Sequence, residues 1–274
     1  MTTFGERLDA AKRTRGPLCA GIDPHPSLLA AWGLTDDVAG LERFTMTAVE
    51  ALAGSVAAVK PQSAFFERHG SAGIAVLERA VAASRELGAQ VVLDVKRGDI
   101  GSTAQAYADA YLDPSSPLAV DAITASAFLG VGSLEPMFRT AREHGSGVFV
   151  LALTSNPEGS QVQHARTASG QTVAGAVLAA LAKLNEGVPR GSFGAVVGAT
   201  IGGTEEQLDV GGPLLVPGIG AQGGSVEDVR RIFGSAVRNV LPSSSREILG
   251  AGPSVAALRD AAARANDSFA TLVG

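Results

Sequence analysis

Short apolar runs alternate with longer amphipathic ones along the whole chain. The short runs are Leu18–Asp23, Val56–Lys60, Gln90–Lys96, Ala119–Thr124, Gly147–Leu153, Phe193–Ala199, Leu214–Val216 and Arg238–Leu241. They are rich in Val and Ile and mostly continuous, which is how strands covered on both faces read. Between them lie Leu41–Leu52, Gly73–Leu87, Thr103–Tyr111, Leu134–His144, Thr172–Asn185, Glu205–Leu208, Val226–Phe233 and Ser254–Asn266. Apolar residues there recur three and four apart, as at Ile74, Leu77 and Val81, which predicts helices with one buried face. Gly88 stands where a helix C-cap belongs. Eight strands alternating with eight helices predict a single (β/α)8 TIM barrel of the α/β class, with residues 1–274 as one domain. A doubly wound sheet is the competing arrangement. Its dinucleotide fingerprint, GxGxxG directly after the first strand, is replaced here by Asp23-Pro24-His25-Pro26.

Composition narrows the function. Hydrophobic residues make up 46% of the 274 and aromatic ones only 5%, so a large core must be built mainly from Ala, Val, Leu and Ile. The net charge of −5 argues against nucleic acid as a partner, since such a partner calls for a basic surface. A small anion held by a few local cations is compatible with it. Cys19 is the one cysteine, so neither an intrachain disulfide framework nor a thiolate metal cluster can form. Residues 1–15 are polar and charged, unlike a signal peptide. The longest weakly polar run, Val173–Leu184, is too short for a membrane span and contains Lys183. A soluble, reduced, cytoplasmic protein with no membrane partner is expected. The four histidines lack metal-ligand spacing, and neither a G-x-S-x-G elbow nor a P-loop is present. Arg13 and Arg15 read as a solvated face.

In a barrel the strand ends and the loops after them form the active face. A strand buried on both sides should not end in charge, yet three of these do. The first ends in Asp23, the second in Lys60, and the third runs into Asp94-Val95-Lys96-Arg97-Gly98-Asp99. Asp94 and Lys96, two apart, leave the same strand face roughly 6 to 7 Å from each other. Gly98 permits a turn that can return Asp99 toward Lys96. Carboxylates flanking one ammonium favour its charged form, which suits proton donation. An isolated D-x-K-x-x-D reads more readily as solvated loop charge or a rim salt bridge than as chemistry. Convergence with Asp23 and Lys60 on one rim tips the reading toward chemistry. After the seventh strand, Pro217-Gly218-Ile219-Gly220-Ala221-Gln222-Gly223-Gly224 is a glycine-rich loop where barrels commonly hold phosphate. Pro242-Ser243-Ser244-Ser245-Arg246 after the eighth offers hydroxyls and a guanidinium to the same anion. Thr154-Ser155-Asn156-Pro157 after the fifth reads either as a heterocycle contact or as an Asn-Pro turn.

The segment from Asp94 to Thr103 resembles the D-x-K-x-x-D-I-x-x-T signature of orotidine 5′-phosphate decarboxylases. So do Ile22-Asp23, Val59-Lys60-Pro61-Gln62 and Pro217–Gly223, in family order, and Ser244–Ile248 is similar to the longer bacterial subgroup. The resemblance implies a homodimeric barrel that converts orotidine 5′-monophosphate to uridine 5′-monophosphate and CO₂ with no metal and no organic cofactor. It implies that Lys96 protonates carbon 6, that Asp94 sits beside the substrate carboxylate, and that Lys60 and Asp99 complete an alternating charge network. Asp99 and Thr103 would serve the neighbouring subunit's site. Asp23 and Lys60 would hold ribose hydroxyls and Ser155 the pyrimidine; Gln222 and Arg246, with the Pro217 loop, would hold the phosphate. A sister barrel that decarboxylates sugar-phosphate β-keto acids with Mg²⁺ would carry a further acidic ligand after the second strand, where this chain has Lys60-Pro61-Gln62-Ser63. A catalytically dead nucleotide sensor is the non-enzymatic alternative, and it would have no reason to keep every catalytic position filled by a competent side chain.

Overall fold

A computed structural model describes residues 2–220 and 223–273. Eight parallel strands close into a barrel in sequence order: β1 (Cys19–Ile22), β2 (Ala58–Pro61), β3 (Gln90–Arg97), β4 (Ala122–Ala125), β5 (Gly147–Leu153), β6 (Phe193–Val197), β7 (Leu214–Pro217) and β8 (Val240–Ser244). Closure comes from β8 pairing with β1, Cys19 opposite Ser243. The helices are α1 (Phe4–Arg15), α2 (Pro26–Ala31), α3 (Val38–Leu52), α4 (Ala64–Glu67), α5 (Gly70–Glu86), α6 (Gly101–Leu112), α7 (Glu135–His144), α8 (Ser160–Gln163), α9 (Val173–Leu184), α10 (Val226–Phe233), α11 (Arg246–Leu249) and α12 (Val255–Val273). Gly88, at φ +82°, takes the left-handed turn after α5 as expected. No described helix is long and apolar enough to cross a membrane.

The continuous apolar strands divide into two layers by the parity of their residues. One parity (Ala20, Ile22, Val59, Val91, Leu93, Ile123, Val150 and Val216 among others) packs outward against the helices. The other (Cys19, Ala58, Val92, Ala122, Phe149, Val196, Leu215 and Leu241) fills the barrel interior with Phe4 and Leu8. Phe4 meets Phe149 edge-on, ring centres 5.9 Å apart, and plugs the bottom of the barrel.

Three expectations need correction. The first concerns Arg15: Arg13 is exposed as a solvated face requires, but Arg15 is half-buried on α1, which a capping box between Thr3 and Glu6 begins. Arg15 donates to the carbonyl of Ala53, and buried Lys12 donates to the carbonyls of Arg238 and Val240. The plug escaped notice because its apolar residues are few and only the barrel bottom makes them necessary. The helix expected over Glu205–Leu208 does not form, and residues 201–213 run as bends and loop. Gly202-Gly203 before it and Gly211-Gly212-Pro213 after it leave too little chain to offset helix nucleation. Leu208 and Val210 are nevertheless buried, and Glu206 accepts from Thr172 at the start of α9, so tertiary contacts hold this crossover. Finally, β4 begins at Ala122, three residues later than expected, because Asp121 turns aside to accept from Val91 N–H and from Arg7.

Candidate active site

The inward parity that builds the apolar interior also builds the site. Two residues beyond Ala58 stands Lys60; two beyond Val92 stands Asp94, and then Lys96. Thr124 follows Ala122, Leu151 follows Phe149, Pro217 follows Leu215, and Ser243 follows Leu241. On β2, β3, β4 and β8 the inward face therefore switches from apolar to polar as the strand nears the mouth, while β5 and β7 keep Leu151 and Pro217 there. All seven of these upper residues line one cavity of about 450 Å³, together with Asp23, His25, Gln62, Thr154, Ser245 and Arg246. That volume suits a small-molecule ligand.

Asp94 is the hub. Lys60 Nζ donates to its Oδ2 at 3.1 Å, and Lys96 Nζ donates to Oδ1 at 2.6 Å. Thr124 Oγ1 also donates to Oδ1, at 2.7 Å. Burial alone would raise the Asp94 pKa, but Lys60 and Lys96, with the hydrogen bonds from Lys96 and Thr124, lower it to about 2. Lys60 is buried too, which works against its charge; Asp23 and Asp94 more than offset this and hold its pKa above the ordinary lysine value. Lys96 differs from both, because its side chain is 45% exposed toward the mouth. In the same interior, burial pushes the Cys19 thiol up to about 12, so it is not a nucleophile.

Lys96 is the one described non-glycine residue with positive φ, at +45°. Such a conformation costs on the order of 1–3 kcal/mol and persists only where surrounding contacts impose it. It coincides with the register shift between Leu93 and Arg97 against β4. The irregularity thus lies inside β3, which continues to Arg97. Gly98 serves a different need: a Cβ there would lie 2.2 Å from the carbonyl oxygen of Ser126. Asp99 does not turn back to Lys96; its Oδ1 accepts from Ile100 N–H at 2.8 Å.

Of the residues expected to act, Asp23, Lys60, Asp94, Lys96, Pro217 and Arg246 meet at the cavity. Asp99, Thr103 and Ser155 do not line it within one chain; Thr103 and Ser155 are exposed, and Thr154 takes the lining position instead. Gln222 lies outside the described residues. Two buried polar atoms of the cavity wall, Asp23 Oδ1 and Ser245 Oγ, have no hydrogen-bond partner among the described residues. Buried polar groups are almost always paired, so these two suit a ligand. Sequence reasoning passed over Thr124, Gln62 and His25. The period-two step beyond Ala122 was the available signal for Thr124, and it went unused because a threonine ending a strand is ordinary.

A family model described as "Orotidine 5'-phosphate decarboxylase / HUMPS family" matches residues 16–261. The chain belongs to this family. It is 65% identical to an orotidine 5′-phosphate decarboxylase of Nocardioides sp., over 98% of this chain and 99% of that protein. Identity with the protein of that name from Streptomyces coelicolor is 60%, over 96% of both. A crystal structure from Streptomyces avermitilis is similar at TM-score 0.96 and 59% identity, covering 100% of this chain and 96% of that one. The Leishmania donovani OMP decarboxylase structure matches at TM-score 0.75 and 29% identity, over 99% of both chains. Family membership accords with the charged cluster: a carboxylate held between two ammonium groups, one of them open to the cavity, is placed to act on an anionic ligand.

Proposed function

We propose that the chain decarboxylates orotidine 5′-monophosphate to uridine 5′-monophosphate and CO₂ in pyrimidine biosynthesis, as one barrel domain, with Lys96 as the proton donor. The observation that carries this reading is the Lys60–Asp94–Lys96 array lining the cavity, in which Lys60 and Asp94 are buried and the outer ammonium is exposed toward the mouth. The bond from carbon 6 to the carboxylate carbon breaks, CO₂ departs, and the electron pair stays on carbon 6. Lys96 Nζ transfers a proton to that carbon and is recharged from solvent. Preorganised positive charge beside developing carbanion character is the kind of stabilisation that costs no reorganisation during reaction. Asp94, kept ionised by Lys60, orients the Lys96 ammonium and faces the substrate carboxylate. Asp23 and Lys60 hold ribose hydroxyls, Ser155 contacts the pyrimidine, and the Pro217 loop with Gln222 and Arg246 receives the phosphate. Binding at the phosphate, remote from carbon 6, supplies energy that orders the reacting end.

The reading includes a homodimer in which Asp99 and Thr103 complete the partner's site. Its support is a cluster of exposed apolar side chains on the segments after β3 and β4: Ile100 at 61%, Phe128 at 77% and Leu129 at 55% exposure. Surface apolar groups gathered beside an incomplete site suit an interface. Catalysis needs no metal or organic cofactor in this reading, since Lys60-Pro61-Gln62-Ser63 puts a cation where a metal-dependent sister barrel would carry a carboxylate. One buried cysteine, with no possible intrachain partner, accords with a cytoplasmic setting.

Following the absorbance of orotidine 5′-monophosphate, with chromatography of the product, tests the reading. Conversion to uridine 5′-monophosphate undiminished by EDTA is expected. Absence of turnover, or turnover abolished by EDTA and restored by Mg²⁺, overturns it.

A further inference from the structure

The residue that holds the array in place is on β4, outside the charged motif. Thr124 is buried, and its hydroxyl has two neighbours: the backbone N–H of Lys96 at 2.9 Å and Asp94 Oδ1 at 2.7 Å. The direction of both bonds is unambiguous, because an amide N–H can only donate and an ionised carboxylate can only accept. The hydroxyl therefore accepts from Lys96 and donates to Asp94. One side chain thus restrains the backbone that carries the ammonium and the rotamer of the carboxylate beside it.

Lys96 is also where the backbone enters the left-handed region, at φ +45°. A lysine adopts that conformation only where contacts impose it. Its N–H can pair with β4 only through this side chain, because the β3–β4 register is interrupted between Leu93 and Arg97 and resumes at Ala125. Asp94 Oδ1 is meanwhile shared between Thr124 and Lys96 Nζ. When Lys96 gives up its proton, the bond from Thr124 remains and keeps the carboxylate from following.

We infer that Thr124 is a positioning residue for the reaction, whose hydroxyl clamps Asp94 and the strained backbone of Lys96 in the reactive arrangement. The inference rests on the role of Lys96 proposed above. A displacement of about 1 Å of a reacting group can lower rate on the order of 10²-fold, so the expected effect falls on kcat. T124V keeps the volume and removes both bonds; T124S keeps the bonds and removes the methyl; T124A removes both.

Each variant would be assayed for kcat and KM with orotidine 5′-monophosphate and for Kd of uridine 5′-monophosphate, beside K96A. Expected are a kcat lowered roughly 10- to 100-fold in T124V and T124A, a Kd for uridine 5′-monophosphate changed less than about threefold, and T124S within about threefold of the parent in kcat. If T124V does not fold, the contrast of T124S with T124A carries the test, since both are small. A T124S as slow as T124A would show that packing, not the hydroxyl, matters, and would overturn the proposal. So would a T124V with the parent's kcat. Activity retained in K96A would instead overturn the Lys96 assignment itself, an outcome distinguishable because it needs no Thr124 variant.

Discussion

The two sides of the barrel mouth are built on opposite principles. Around β2, β3 and β4, every charged group that faces inward is already satisfied: Lys60 and Lys96 on Asp94, and Thr124 between Asp94 and the Lys96 backbone. Just beyond β1 and β8, polar groups are left open. Asp23 Oδ1 and Ser245 Oγ are buried without partners among the described residues, and Arg246 is exposed at the start of α11. Groups that act on developing charge gain from being fixed in advance, since a loose charge would lose its orientation to thermal motion. Groups that bind gain from being unsatisfied, since a partner already held by protein would have to be displaced by the ligand. In the proposed reading, chemistry sits on the locked side and phosphate recognition on the open side.

The comparison breaks most directly at Lys96. K96A should lower kcat at least ~10²-fold while leaving the fold and uridine 5′-monophosphate binding measurable, as expected for loss of a proton donor. A kcat near the parent's would mean the locked side is structural only. On the open side, R246A should raise KM for the phosphorylated substrate about 10- to 150-fold, the worth of roughly 1.5–3 kcal/mol for a charged hydrogen bond. Inhibition by uridine should barely change, since the bare nucleoside has no phosphate. Equal losses for nucleotide and nucleoside would remove Arg246 from the phosphate site.

The locked side should also report itself in stability. The Asp94 pKa is about 2 in the fold against an ordinary 3.8, so the unfolded chain binds the proton more readily. Its contribution is fully present above about pH 4 and is lost as pH falls toward 2, to the extent of about 2 kcal/mol. Urea melts of the parent and D94N between pH 6 and 2.5 should show the gap between them closing on acidification. A pH-independent gap would contradict a buried, ionised Asp94.

The smallest expected effect is a factor of two. Asp99 belongs to neither side of its own mouth, so K96A and D99A chains mixed as heterodimers should regain half the activity per dimer, because both lesions then fall in one site. No recovery, with subunit exchange confirmed by mass spectrometry, would place Asp99 in its own chain's site.

Much of this was readable along the chain. Continuous Val- and Ile-rich runs separated by helical stretches marked the barrel, and charge at the ends of three such runs marked Asp23, Lys60, Asp94 and Lys96. Both signals are local: period two sets which face a residue takes, and a charge that ends a buried strand is anomalous wherever the other strands lie. The tertiary structure decided the rest. α1 packs Phe4 into the barrel bottom, and Glu205–Leu208, too short between its flanking glycines to nucleate a helix, is held as loop by the burial of Leu208 and the bond from Thr172 to Glu206. Thr124 meets Lys96 and Asp94 only through the β3–β4 register and its interruption, which no spacing within either strand encodes. Asp99, two residues past the end of β3, does not line its own cavity, and its carboxylate accepts from the neighbouring Ile100 N–H instead of meeting Lys96. Alternation along one strand is set by the geometry of single residues; pairing between strands is set by how eight of them close, and that depends on the whole chain at once.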